Sequence, residues 1–236
     1  MIDDSEHRLD ASAFFRRSWS LYDAIVESNH MHHREIYETV SDVIGQRVSR
    51  GEIRMIDLGC GNARCIESIL RKNQPLSYVG VDLSEAALAE ASEFLDGVGG
   101  VSLKHSDLLE YAESEHTASD VIFSGFAVHH LQAQEKQRLF HGIARIVPEN
   151  GFFLMVDVVR EEGMSREDHV RSYTGMMRTQ WHGIPAEALE EGCRHVEAYD
   201  FPATVSELRD ASLESGFVHM EELLRKGPHR IFIFSM

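Results

Sequence analysis

Between Ile53 and Val158, short apolar runs alternate with stretches of helical periodicity, and this alternation narrows the possible folds more than any other feature. The runs are Ile53–Leu58, Tyr78–Val81, Val101–Lys104, Val121–Ser124 and Phe152–Val158, each of strand length. Between them lie residues 63–72, an Ala- and Glu-rich stretch from Ser84 to about Leu95, and Gln134–Val147. In the last of these, Leu139, Ile143 and Ile146 share one helical face. Ser84 offers an N-cap hydroxyl, and Pro148-Glu149-Asn150-Gly151 closes the third helix. Strands that alternate with helices pair in parallel through crossover connections. Near-continuous apolar strands fit a sheet covered on both faces.

The flanks read differently. Phe15, Trp19, Tyr22 and Val26 make one helical stripe, and Ile36, Val40, Ile44 and Val48 make another. Residues 161–203 are polar and helical, an insertion after the fifth strand. Thr204-Val205-Ser206-Glu207 has the form of a capping box. Phe217–Leu224 and Arg230–Phe234 flank a tight turn at Lys226-Gly227-Pro228-His229 and pair as an antiparallel hairpin. The expected fold is therefore α/β, a seven-stranded, mostly parallel sheet with an antiparallel last strand and helices on both faces. Its expected parts are an N-terminal helical segment (1–50), a ligand-binding core (51–160), a helical insertion (161–203), and a terminal helix and hairpin completing the sheet (204–236).

The chemistry concentrates at strand ends. Met55-Ile56-Asp57-Leu58-Gly59-Cys60-Gly61-Asn62-Ala63-Arg64 is a strand ending in an acid, a turn with two glycines, and the start of a helix. Glycines let backbone approach a ligand closely, and the helix start offers free N–H groups. Asp82 ends the second strand, twenty-one residues after Gly61. A carboxylate at that place and spacing accepts hydrogen bonds from both hydroxyls of a ribose. A nicotinamide dinucleotide is disfavoured, because Arg64 stands where the third glycine of its fingerprint belongs. Asp57 would also repel a pyrophosphate, whereas it suits a ligand with a positive ammonium.

These segments together resemble the class I S-adenosylmethionine-dependent methyltransferases of small-molecule type. Met55–Arg64 resembles the first motif of that family, with Ala63 where many members carry a third glycine. Val79–Ser84, His105–Leu108, Ser119–Leu131 and Pro148–Gly151 resemble the segments that follow it. The resemblance implies S-adenosylmethionine as cofactor. The implied contacts are Asp57, Gly59, Cys60 and Gly61 in the first turn, Asp82 and Leu83 after the second strand, Ser106, Asp107 and Leu108, then Ser124 and Gly125. Asp107, ahead of Leu108-Leu109, equally fits a helix N-cap. The implied activity is in-line methyl transfer to a small molecule. The alternatives are other S-adenosylmethionine chemistry on the same fold, such as making a modified cofactor, or a non-catalytic binding module.

Where the acceptor must lose a proton, the candidate bases are His129, His33 and Asp157. The resemblance further implies that residues 1–50 and 161–203 form a helical lid over the acceptor, which makes Tyr22, His30 and His33 from the N-terminal helices, and Arg171, Tyr173 and Trp181 from the insertion, its candidate contacts. Arg16, Arg17, Arg171 and Arg178 lean the expectation towards an acceptor with an anionic group on an apolar or aromatic body. No metal site is expected, since the histidines at 30–33 have no nearby carboxylate to complete a ligand set.

The 236 residues carry a net charge of −16, which disfavours nucleic acid and anionic membrane as partners. Three cysteines without a Cys-x-x-Cys spacing exclude a disulfide framework. The acidic start of the chain lacks the pattern of a signal peptide, so a cytoplasmic location is expected.

Overall fold

In the computed structural model, which describes residues 24–48 and 51–236, seven strands form one sheet in the order β3-β2-β1-β4-β5-β7-β6. The strands are β1 (Arg54–Leu58), β2 (Ser77–Asp82), β3 (Val101–His105), β4 (Val121–Gly125), β5 (Phe152–Val158), β6 (His219–Lys226) and β7 (His229–Ser235). The first five pair in parallel. β7 runs antiparallel to both β5 and β6. The helices are α1 (His33–Val48), α2 (Arg64–Asn73), α3 (Glu85–Phe94), α4 (Leu108–Ser114), α5 (Ala133–Ile146), α6 (Arg166–Gln180), α7 (Ala186–Tyr199) and α8 (Val205–Glu214).

Strand alternation sorts the core into two layers. Met55, Val121, Leu154 and Val156 face one side, where Ile36, Val40 and Ile44 of α1 and Ile66, Ile69 and Leu70 of α2 pack against them. Tyr173 and Met177 of α6 and Cys193 of α7 join this layer. Ile56, Leu58, Ile122, Phe153 and Met155 face the other side, against Leu139, Phe140 and Ile143 of α5 and Leu208 of α8. The period of two along β5 explains why all seven of its residues are buried while serving two layers.

The helix starts follow the sequence signals. Ser84 Oγ accepts from Ala87 N at the start of α3, and Thr204 with Glu207 forms a reciprocal capping box at α8. Asp107 caps α4 through Leu109 N and Glu110 N. At the first turn, Gly59 has φ 80° and Gly61 φ 55°, so both glycines occupy left-handed backbone. Ala63 is left-handed too, at φ 58°. This explains why a third glycine is the easier residue there, since a Cβ costs about 1–2 kcal/mol in that region.

No helix among the described residues is long and apolar enough to cross a membrane.

Candidate donor site at the carboxyl ends of β1, β2 and β4

A cleft enclosing roughly 1130 Å³, partly open to solvent, lies beyond the carboxyl ends of β1, β2 and β4. In open α/β sheets this crevice is where ligands bind, because β1 pairs with β2 on one side and β4 on the other and the crossovers leave in opposite directions. Its floor is the turn 59–63 and the first turn of α2.

The turn is held by the neighbouring strand. Gly59 N and Cys60 N both donate to Val81 O, at 2.8 and 3.0 Å. Asp82 Oδ2 accepts from Gly61 N at 2.8 Å, and its Oδ1 accepts from Ser84 N at 2.8 Å. Asp82 thus clamps the glycine turn while lining the cleft. Burial raises its pKa against the pull of these N–H donors. A Cβ on Gly59 would stand 2.6 Å from Ala127 Cβ, so the turn and the end of β4 touch through the space that glycine leaves.

Asp57 is 2% exposed and sits in the cleft wall. Tyr78 Oη donates to its Oδ2 at 2.8 Å, while Oδ1 is buried with no hydrogen-bond partner. Burial is the main cause that lifts its pKa to about 7. A buried carboxylate oxygen facing a cleft without a donor is the observation that best fits the ammonium of S-adenosylmethionine. At the start of α2 the Arg64 N–H donates to Asn62 Oδ1 at 3.2 Å, which fixes the end of the turn.

Of the residues expected at the cofactor, Asp57, Gly59, Cys60, Gly61, Asp82, Leu83, Asp107, Leu108 and Gly125 line the cleft. Ser106 and Ser124 do not. Ser106 Oγ donates to Asp107 O, and the fully buried Ser124 Oγ donates to Leu58 O at 2.8 Å, bracing β4 against β1.

The expected acceptor and base residues are dispersed. Tyr22 lies outside the described residues, as do Arg16 and Arg17. His33 is buried behind the cleft wall, its ring 5.2 Å from Phe126 and stacked on Tyr37, and burial lowers its pKa to about 4. His30 stacks on Trp181 with ring centres 5.4 Å apart, and its Nε2 contacts His182 O. Tyr173 is buried, with its hydroxyl 2.8 Å from His229 Nε2. None of these four lines the cleft.

Of the four arginines expected near an anionic acceptor, the two that are described, Arg171 and Arg178, lie away from the cleft. Arg171 is 76% exposed at its side chain and donates to Asp168, one turn earlier on α6. Arg178 donates to Glu190 and Glu197 of α7. Local acids have captured both guanidinium groups on the outer surface.

His129 and Asp157 are close together, joined through His129 Nδ1 and Asp157 Oδ1, but both are buried outside the cleft. It is the adjacent His130 that reaches the cleft wall. The 3₁₀ turn Val128–His130 at the end of β4 sends successive side chains in different directions, which strand or helix periodicity does not reveal. Sequence reasoning also missed Tyr37, which follows the buried stripe residue Ile36 and brings α1 to the cleft beside Phe123 and Phe126.

Residues 56–153 match the family described as "Methyltransferase domain". A carboxy-S-adenosyl-L-methionine synthase of Campylobacter fetus is 21% identical over 216 residues, covering 91% of this chain and 90% of that one. An uncharacterized methyltransferase of Staphylococcus carnosus is 22% identical over 64% of this chain and 70% of its own length. Among solved structures, an O-methyltransferase family protein from Burkholderia thailandensis superposes with a TM-score of 0.61 at 17% identity, covering 85% of this chain and 56% of that one. The turn clamped by Asp82, the unpartnered Asp57 oxygen above it and the matched segment agree: residues 56–153 match a methyltransferase domain, and they carry it on the fold of the S-adenosylmethionine-dependent methyltransferases.

Proposed function

We propose that the chain methylates a small molecule that lies against Tyr37, Phe123 and Phe126. The aromatic wall carries this reading: three rings from α1 and the end of β4 line the same cleft as the glycine turn. When bound, S-adenosylmethionine supplies a sulfonium methyl group open to in-line displacement. The protein's own task is to hold the two partners aligned. Asp57 pairs with the ammonium, Asp82 accepts from the ribose hydroxyls with the lone pairs that Gly61 and Ser84 leave, and Asp107 and Leu108 border the base.

Acceptors that need no strong base fit best, namely a thiol, a carboxylate or a neutral amine. Support comes from His33, held uncharged and weakly basic by burial, and from His129, enclosed between Asp157 and Asp200. In this reading α1, α6 and α7 form the cover over the acceptor. The net charge of −16 argues against a nucleic-acid acceptor, and three free thiols suit a reducing cytoplasm.

A second reading has one observation in its favour. A relative that matches 91% of this chain is named carboxy-S-adenosyl-L-methionine synthase, and in this reading the same cleft serves modified-cofactor synthesis. The test is to incubate the protein with methyl-labelled S-adenosylmethionine and a panel of thiols, amines and carboxylic acids, and to identify all products by mass spectrometry. S-adenosylhomocysteine and a labelled small molecule in equal amounts are expected. A carboxylated sulfonium would establish the second reading instead. Label found only in protein or nucleic acid would overturn the first.

A further inference from the structure

Beside the donor cleft, residues from three parts of the chain meet in a second cluster. His129 and His130 come from the turn after β4, Asp157 from β5, and Asp200 from the end of α7. One donor atom each from His129, His130 and Asp200 lies within 4.8 Å of the others. His129 Nε2 is 3.8 Å from Asp200 Oδ2, and His130 Nδ1 is 3.3 Å from Asp200 Oδ1. Asp200 is 4% exposed. Two imidazole nitrogens converge within ion-pair distance on this one buried carboxylate, a nitrogen and oxygen donor set suited to a divalent metal.

The other nitrogen of His129 supports this. Its Nδ1–H donates to Asp157, so Nε2, 3.8 Å from Asp200 Oδ2, is the nitrogen that a metal would take in place of a proton. Asp157 Oδ1 is itself fixed by Val158 N at 2.8 Å. A carboxylate that orients a histidine whose far nitrogen meets further ligands is the outer-shell arrangement of metal-bound histidine. Bonds of about 2.0–2.1 Å in a tetrahedral site place donor atoms roughly 3.3 Å apart. The His130 separation, to Asp200 Oδ1, already has that value; the His129 separation is to Oδ2, so one ligating oxygen requires the carboxylate to turn.

We propose that His129, His130 and Asp200 bind one divalent transition metal of the zinc class, with Asp157 as the positioning residue for His129. Two imidazoles and one carboxylate leave a fourth position open, and His195, whose ring lies 5.3 Å from that of His130, borders it. The metal joins the cleft wall, through His130, to the end of α7. The expectation of no metal concerned the histidines at 30–33; this cluster is a different one, and its carboxylate lies seventy residues beyond His130, where no spacing rule reveals it.

The experiment uses the whole chain, stripped with chelator and titrated with zinc chloride near pH 7.5, with magnesium as the control. Expected are one equivalent of zinc bound, no response to magnesium, and a visible absorption band when cobalt(II) replaces zinc. Asp200→Asn and His130→Gln should each lose the cobalt band. Asp157→Asn should keep it but weaken zinc binding by about 10–100-fold, as expected when an outer-shell partner is lost. His130 is half-buried, so its variant reports even where the Asp200 substitution fails to fold. Absence of saturable zinc binding in the parent overturns the proposal. So does zinc binding that persists unchanged in folded His130→Gln.

Discussion

Replacing Asp57 with asparagine should make the empty protein more stable and the donor complex weaker, from a single atom change. Asparagine keeps the shape and can still accept from Tyr78 Oη, but it cannot ionise. Burial lifts the Asp57 pKa from the usual 3.8 to about 7. The folded protein therefore holds this proton up to about pH 7, whereas the unfolded chain releases it near pH 4. The sign follows: the contribution is fully present below about pH 4 and is lost as pH rises through 7. At about 1.4 kcal/mol for each tenfold change in proton affinity, ionising the buried group costs the ligand-free protein on the order of 4 kcal/mol by pH 8. The asparagine variant escapes that cost, so its stability advantage should grow from pH 5 to pH 8. Urea unfolding of parent and variant at four pH values measures it. Binding moves the other way. Loss of a charged partner for the ammonium is worth about 1.5–3 kcal/mol, or roughly a ten- to hundredfold weaker affinity for S-adenosylhomocysteine by calorimetry. 5′-Methylthioadenosine, which lacks the ammonium, should bind both proteins equally. A stability difference that stays flat between pH 5 and 8, or equal losses for both ligands, would refute the reasoning.

Two other substitutions test the geometry. Gly59→Ala adds a Cβ 2.6 Å from Ala127 in left-handed backbone, so both the melting temperature and S-adenosylhomocysteine affinity should fall; unchanged calorimetry would mean that the turn is not held as described. Arg171→Ala and Arg178→Ala remove only exposed ion pairs, each worth about 0–1 kcal/mol, and should leave kcat/KM within about twofold for any acceptor found, carboxylates included.

The sheet was legible because its strands are apolar on both faces and its helices carry stripes. Phe152–Val158 spans the same residues in sequence and structure, and the hydroxyls of Ser84 and Thr204 mark helix starts by a local mechanism. Most of the donor turn was readable for the same reason: Gly59, Gly61 and Asp82 act within one βαβ unit. What escaped depends on distant partners or on local competition. Nothing near His129 and His130 indicates which ring faces the cleft, since that is settled by Asp157 and Asp200. Arg171 resembles an acceptor clamp until Asp168, three residues before it, takes the guanidinium. Tyr37 reaches the cleft from α1, whose sequence predicts a buried face but not what that face meets.

The position of β7 has a consequence for synthesis. β5 ends at Val158, and the strand that covers its open edge begins only at His229. Phe232 and Phe234 of β7 also complete the layer around Phe140 and Phe153. At about 5–20 residues per second, a ribosome needs roughly 4–14 s to make the intervening seventy residues. During that interval the nascent chain shows an unpaired apolar strand edge beside exposed phenylalanines, which is a template for pairing with other chains. Expression yield should therefore depend on holding chaperones more than the stability of the finished fold would suggest, and a stop codon placed between α8 and β7 should give aggregate rather than a smaller folded protein.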